Sequence, residues 1–181
     1  MSVLTLSGSS AAGGAASYTG ALLELLGDRD PVDVLRATPA AVSVIVSGLG
    51  AAQIESPEKP GKWSIRHVVQ HLADSELVGA VRLRLTLSQD RPPITGYDQD
   101  LWAERLRYQE VPFGDALDQF TLVRRVNLRL WERLTEADLA RVGVHNERGE
   151  ESLGLMRKLY AGHDLAHLRQ LSRIRDAVEV A

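Results

Sequence analysis

Residues 62–76 read KWSIRHVVQHLADSE. Ile65, Val68, Val69 and Leu72 fall at i, i+3, i+4 and i+7, the period of a helix with one apolar face. Ser64 precedes the first of them as an N-cap. Arg91-Pro92-Pro93 supplies the stop, so one long helix is expected over 64–88. His67 and His71 stand one turn apart on it. The same spacing recurs in GHDLAHLRQLSRIR, residues 162–175, at His163 and His167. Four of the chain's five histidines therefore form two helical pairs.

Similar helix grammar runs outward in both directions. YTGALLELL (18–26) reads as a short helix. Asp30-Pro31 is a cap followed by proline at the first helical position. Thr38-Pro39 repeats that grammar, which predicts a restart or kink. Val42, Ile45, Val46 and Leu49 keep residues 39–50 helical. A short helix is expected after Asp98, within 94–106. Pro112 opens a third long helix, 112–134, with Phe113, Ala116, Leu117, Phe120, Val123, Leu130, Trp131 and Leu134 on one broad face. Residues 135–138 read as a brief turn, RVGVHNERGEE (141–151) as a short hairpin or loop, and 152–178 as the last helix. The expectation is all-α, a single-domain four-helix bundle spanning 17–181 behind a Gly/Ser/Ala-rich leader, 1–16. The connection 89–111 is long enough for an antiparallel return or for a crossover to a parallel neighbour.

In the last helix, Met156, Leu159, Tyr160, Leu171 and Ile174 form an apolar stripe. His163 and His167 fall roughly 20° either side of its centre, at about 100° per residue. Buried imidazoles need a hydrogen-bond partner or a ligand for each ring nitrogen. In the 64–88 helix, His71 lies on the flank of the apolar face, and His67 roughly 40° further towards the polar side. His67 also occupies the glutamate position of a capping box begun by Ser64. The geometry suggests His71, His163 and His167 as ligands of one metal, with His67 left over. Three imidazoles leave coordination positions open, the pattern of catalytic sites. The alternative is a set of core histidines with protein partners. The pair is not H-E-x-x-H, because position 164 is Asp.

Composition is that of an ordinary globular domain: 44% hydrophobic and 25% charged residues, with a formal net charge of −3. That charge gives no electrostatic case for nucleic acid or an anionic membrane. Arg157, Arg169, Arg173 and Arg175 are expected to form a solvated face. With no cysteine, there is no disulfide scaffold, thiol nucleophile or cysteine-bound zinc. The first residues lack a basic n-region and an apolar h-region. A cytoplasmic protein is the default expectation.

The segments KWSIRHVVQHLADSE (62–76), GYDQDLW (96–102), RRVNLRLWERL (124–134) and GHDLAHLRQLSRIR (162–175) together resemble the DinB/YfiT-like superfamily of metalloenzymes. The resemblance runs from about residue 30 to 176. It implies a four-helix bundle and a divalent ion, nickel or zinc, held by His71, His163 and His167. The family often has Glu where this chain has His67. Some members depend on a low-molecular-weight thiol, as bacillithiol S-transferases and mycothiol-dependent isomerases do. Homodimers are common among them.

Such a site would acidify water for hydrolysis, or a thiol for S-transfer to a small-molecule electrophile. Asp74, three residues after His71, is a candidate to orient an imidazole or act as a base. A solvated carboxylate is the simpler expectation for Asp74 and for Asp164. Asn127 interrupts the apolar spacing of the third long helix, as a core hydrogen bonder or a site residue. Arg82 is a candidate for a cofactor's carboxylates or a plain surface residue. Tyr97, Asp98 and Trp102 lie in the longest connection, where segments often roof a site; Trp102 is expected to pack. His145 is expected to be exposed. Two other readings compete with the enzyme: a stress-related helical protein whose metal is structural, and a metal-free helical interaction protein.

Overall fold

The computed structural model describes residues 11–179. Eight helices are present: α1 (Ala11–Leu26), α2 (Pro31–Val46), α3 (Ala51–Glu55), α4 (Ile65–Ser88), α5 (Gln99–Arg105), α6 (Phe113–Trp131), α7 (Glu136–Leu139) and α8 (Leu153–Glu179). A 3₁₀ turn, Tyr108–Glu110, precedes α6. The caps read from the sequence at Asp30 and Ser64 are in place, and Asp98 and Thr135 supply two more. Asp30 accepts from the amides of Val32 and Asp33, Ser64 from His67, Asp98 from Asp100 and Leu101, and Thr135 from Asp138. Helix α1 starts earlier than residue 18, so 11–16 of the expected leader are helical; residues 1–10 lie outside the described residues.

The four principal helices are α2, α4, α6 and α8. Contacts between α4 and α6 climb together along both chains: Arg66 with Val111, Asp74 with Gln119, Glu76 with Arg124, Arg84 with Asn127. These two neighbours are therefore parallel, and 89–111 is a crossover. Contacts of α4 with α8 run oppositely, His71 against His167 and Gly79 against Tyr160, so that pair is antiparallel.

The helix does not restart at Pro39; α2 runs through it. Proline has no N–H to offer the carbonyl four residues back. That carbonyl, on Leu35, instead accepts from Arg124 Nη1 of α6 at 2.9 Å. A side chain from another helix thus replaces the missing backbone donor. At the other end of α2, Arg175 donates to the carbonyls of Val44, Ile45 and Ser47. It therefore docks one helix onto another, rather than joining the solvated arginine face expected for it.

The 141–151 segment is a hairpin, β2 (Val142–His145) antiparallel to β3 (Gly149–Ser152). Gly149, at φ +78, closes its three-residue loop. A third strand, β1 (Pro93–Ile94), pairs parallel with β2 and was not evident from the sequence. Gly143 makes room for the packing there: a Cβ would stand 2.4 Å from Ile94 Cδ1 and would force that side chain to move.

Two apolar clusters fill the bundle. One gathers Val42, Ile65, Val69, Leu72, Phe120, Leu171 and Ile174; the other Leu35, Leu83, Leu128, Trp131, Leu153 and Met156. Polar side chains at Glu76, Arg124, Asn127 and Asp164 form a layer between them, all buried. Helix α1 lies against α8 so closely at Gly162 that a Cβ would fall 2.3 Å from the Leu22 carbonyl oxygen.

Candidate metal centre

His71 on α4 meets His163 and His167 on α8. The Nε2 atoms of His71 and His163 are 3.0 Å apart, and those of His167 and His163 3.1 Å. Three neutral imidazoles cannot satisfy that arrangement among themselves, because one Nε2–H serves one neighbour. A shared ion satisfies all three. Nitrogens bound at about 2.1 Å with roughly 90–110° between them stand about 3.0–3.4 Å apart, close to the separations found. One ligand atom from each of the three residues lies within 4.8 Å of the others. Among the described residues this is the one such group of histidine, cysteine or carboxylate donors.

The electrostatics favour the metal-binding form of the rings. Burial holds His71 and His163 well below the usual histidine range, with the neighbouring histidines adding to the effect. Burial lowers His167 to about 4, against a hydrogen bond that His167 donates to Gln170, which works the other way. That bond, His167 Nδ1 to Gln170 Oε1 at 2.8 Å, places the proton on Nδ1 and leaves the Nε2 lone pair facing the other rings. Trp63 packs on His71 with ring centroids 5.2 Å apart.

His67 stands outside this group. Its Nδ1 lies 2.9 Å from the Ser64 hydroxyl, which also accepts from the His67 amide at 3.5 Å. The capping position read from the sequence is real, though the imidazole meets the hydroxyl rather than the Ser64 amide.

Two carboxylates, Asp164 and Asp74, and one histidine, His145, are not where the sequence suggested. Asp164 is 1% exposed and bound by both Nη atoms of Arg124, at 2.5 and 3.1 Å. Burial pushes its carboxyl up against the pull of Arg124. Arg124 Nε donates to Glu76 Oε2 at 2.9 Å, and Nη2 lies 2.8 Å from the same oxygen. With the Leu35 carbonyl, the guanidinium donates four hydrogen bonds, and the Nη2 contact with Glu76 adds to the ion pair. Asn127 is the core hydrogen bonder, donating to Glu76 Oε1 at 2.7 Å and accepting from Arg84. Asp74 is also buried, under Tyr108, and Gln70 and Gln119 donate to its Oδ1 at 3.2 and 3.5 Å. His145 is buried rather than exposed. Its Nδ1 accepts from the Glu147 amide, and burial lowers it to about 4. Its place on β2, under the crossover, is the reason.

Arg82 donates to the Thr95 carbonyl at 2.7 Å and so tethers the crossover to α4. Tyr97 and Trp102 pack on each other with centroids 4.2 Å apart. A groove of about 880 Å³ lies elsewhere, between α1 and α8, lined by Tyr18, Leu22, Leu25, Ala166 and Arg169 among others. None of the three clustered histidines lines it.

The family description of the DinB superfamily matches residues 34–171. The chain belongs to the DinB superfamily. An Oceanobacillus iheyensis relative, named "putative metal-dependent hydrolase", is 30% identical over 76% of this chain and 81% of its own length. A Bacillus mycoides protein with the same name is 27% identical over 88% and 91%. The solved structure of YfiT from Bacillus subtilis superposes with a TM-score of 0.72 at 28% identity, covering 79% of this chain and 84% of that one. It is titled a "probable metal-dependent hydrolase with an unusual four-helix bundle topology". The parallel α4–α6 pair and its crossover are the departure from a simple up-and-down bundle here. Among the described residues no helix is long and apolar enough to cross a membrane.

Proposed function

We propose that this DinB-superfamily chain is a metal-dependent hydrolase of a small molecule, with His71, His163 and His167 as ligands of one divalent ion, nickel or zinc. The observation that carries the reading is the convergence of three Nε2 atoms at 3.0 and 3.1 Å on a buried face. The names of the relatives support the same reaction class. A divalent ion there supplies a Lewis acid that acidifies water and polarises a substrate oxygen.

The chain's own residues set the conditions for that chemistry. Burial keeps the three rings neutral and their lone pairs available. Gln170 fixes the tautomer of His167. Three nitrogen ligands leave positions for water and substrate. Arg124, Glu76 and Asp164 lock α4, α6 and α8 together beside His163, which holds the ligands from two helices in register.

The test is metal content by elemental mass spectrometry on protein purified without a histidine tag, beside His71→Ala, His163→Ala and His67→Ala. Near one ion per chain, lost in the first two variants and kept in the third, supports the three-histidine site. Loss in the third as well points to a four-histidine, structural ion. No ion after reconstitution with nickel or zinc refutes the proposal. A loaded protein is then assayed on small esters, amides and lactones with and without an added thiol. Turnover only with the thiol, since the chain has no cysteine, replaces hydrolysis by S-transfer.

A further inference from the structure

Four buried polar atoms beside the histidine cluster have no hydrogen-bond partner among the described residues: His71 Nδ1, Gln70 Oε1, Asp74 Oδ2 and the Tyr108 hydroxyl. Their residues are 1%, 6%, 8% and 0% exposed. An unpaired buried polar atom costs about 1–3 kcal/mol, so four together call for a common explanation.

Three of the four meet at Asp74, and His71 lies three residues before it on the same helix. Gln70, His71 and Asp74 occupy a single turn of α4. The Gln70 amide nitrogen touches Asp74 Oδ1 at 3.2 Å, which brings the amide and carboxylate heads together. Tyr108 reaches Asp74 from the crossover, its hydroxyl close to the carboxylate but not aligned for a direct bond; burial first and its hydrogen-bonding proximity to Asp74 second push its phenol up, so it keeps its proton. His71 directs Nε2 at His163. If that nitrogen offers a lone pair to an ion, as in the function proposed above, the ring proton is on Nδ1. The set is then two donors, His71 Nδ1–H and Tyr108 O–H, and two acceptors, Asp74 Oδ2 and Gln70 Oε1. A water molecule accepts two hydrogen bonds and donates two, and buried waters characteristically sit among two to four such groups.

The geometry points to one bound water at this place, linking His71 Nδ1–H to Asp74, with Tyr108 and Gln70 completing its hydrogen bonds. Asp74 is thereby a positioning residue for the metal ligand His71, and not a solvated carboxylate. The arrangement is the water-bridged form of the carboxylate–histidine pairs that orient metal-bound imidazoles.

Asp74→Asn tests this without changing shape. Gln70 and Gln119 both donate to Oδ1, so the asparagine oxygen stays there and its NH₂ takes the place of Oδ2. An acceptor becomes a donor, and the water's bonds no longer balance. Two readouts are taken, with thermal unfolding as the check that the variant folds. The first is the His71 tautomer, read from long-range ¹H–¹⁵N spectra of the metal-free, ¹⁵N-histidine-labelled protein. Wild type is expected as Nδ1–H, with Asp74→Asn shifting towards Nε2–H. The second is zinc affinity by chelator competition, expected to fall 10- to 100-fold in Asp74→Asn and to stay unchanged in His67→Ala. Tyr108→Phe, which removes one donor and leaves the link to Asp74, is expected to weaken zinc less than Asp74→Asn. An Nε2–H tautomer in wild type, or a tautomer and affinity indifferent to Asp74→Asn, overturns the inference. If wild type binds no zinc at all, the metal reading fails, and the tautomer spectra still decide the water link.

Discussion

Arg124→Met is the sharpest test of the polar layer. In the native chain, the guanidinium donates four hydrogen bonds to Glu76, Asp164 and the Leu35 carbonyl and forms ion pairs with both carboxylates. Methionine fills similar volume and offers none of these donors. Two carboxylates that are 4% and 1% exposed are then stranded, together with a helix carbonyl that Pro39 cannot serve. Removing one partner of a buried pair costs about 3–5 kcal/mol. With two carboxylates affected, about 5 kcal/mol is expected, a large share of the roughly 5–15 kcal/mol available to a domain. Urea unfolding followed by tryptophan fluorescence measures it. The pH dependence supplies a second signature. Stranded carboxylates have folded pKa values above their unfolded ones, so the folded variant binds more protons than its unfolded chain. Their penalty is absent below the unfolded carboxylate range and grows as pH rises. The gap between variant and wild type therefore narrows as pH falls from 7 towards 5, by up to about 1.4 kcal/mol per unit for each carboxyl protonated. Adding Glu76→Gln and Asp164→Asn should recover more than half of the loss at pH 7. A cost under about 1 kcal/mol, or a gap that ignores pH, would refute the idea that Arg124 is there to neutralise buried acid.

Three further outcomes are expected. Gly162→Ala forces a methyl against the Leu22 carbonyl and should cost about 1–3 kcal/mol by thermal unfolding; no loss would mean that α1 yields easily. His145 should stay neutral until about pH 4, read from its ring-proton shifts. Its folded value lies below the unfolded one, so the stability it gives above pH 6.5 is lost as pH falls through about 4, on the order of 3 kcal/mol. In a double-mutant cycle, Pro39→Ala gives Leu35 a backbone donor, so the Arg124→Met penalty should shrink by about 1 kcal/mol in that background; strict additivity would show the carbonyl contact to be idle.

The helices and the three clustered histidines were legible because each rests on local signals: a cap, a 3.6-residue period and a one-turn pair placed against an apolar stripe. The polar layer was not read, although part of its signal was present. Phe113, Ala116, Phe120, Arg124, Asn127 and Trp131 share one phase on α6. Asn127 stood out in that phase, whereas Arg124, inside an Arg-Arg pair, drew no reading of its own. Asp164 was misplaced because one stripe was assigned to α8, a helix that is in fact covered by α1, α2 and α4 and buried on several sides. Asp74 and His145 are covered by the crossover and the small sheet, contacts between segments distant in sequence that no periodicity announces. Pro39 was read as a restart or kink because the donor that repairs the helix there lies 85 residues away.

The parallel course of α4 and α6 has a consequence for how such a protein can diversify. Helix α4 is 24 residues long, about 36 Å, and the chain must travel back that distance before α6 begins. An up-and-down bundle turns in a few residues and has nothing to spare at that point. Here the return segment is obligatory, is far longer than the span when extended, and passes over the histidine-bearing face with Tyr97 and Tyr108. Insertions, deletions and new side chains in it can reshape what reaches the three histidines, while the helices that hold them keep their register. The topology separates a part of the chain that is free to vary from the part that must stay fixed.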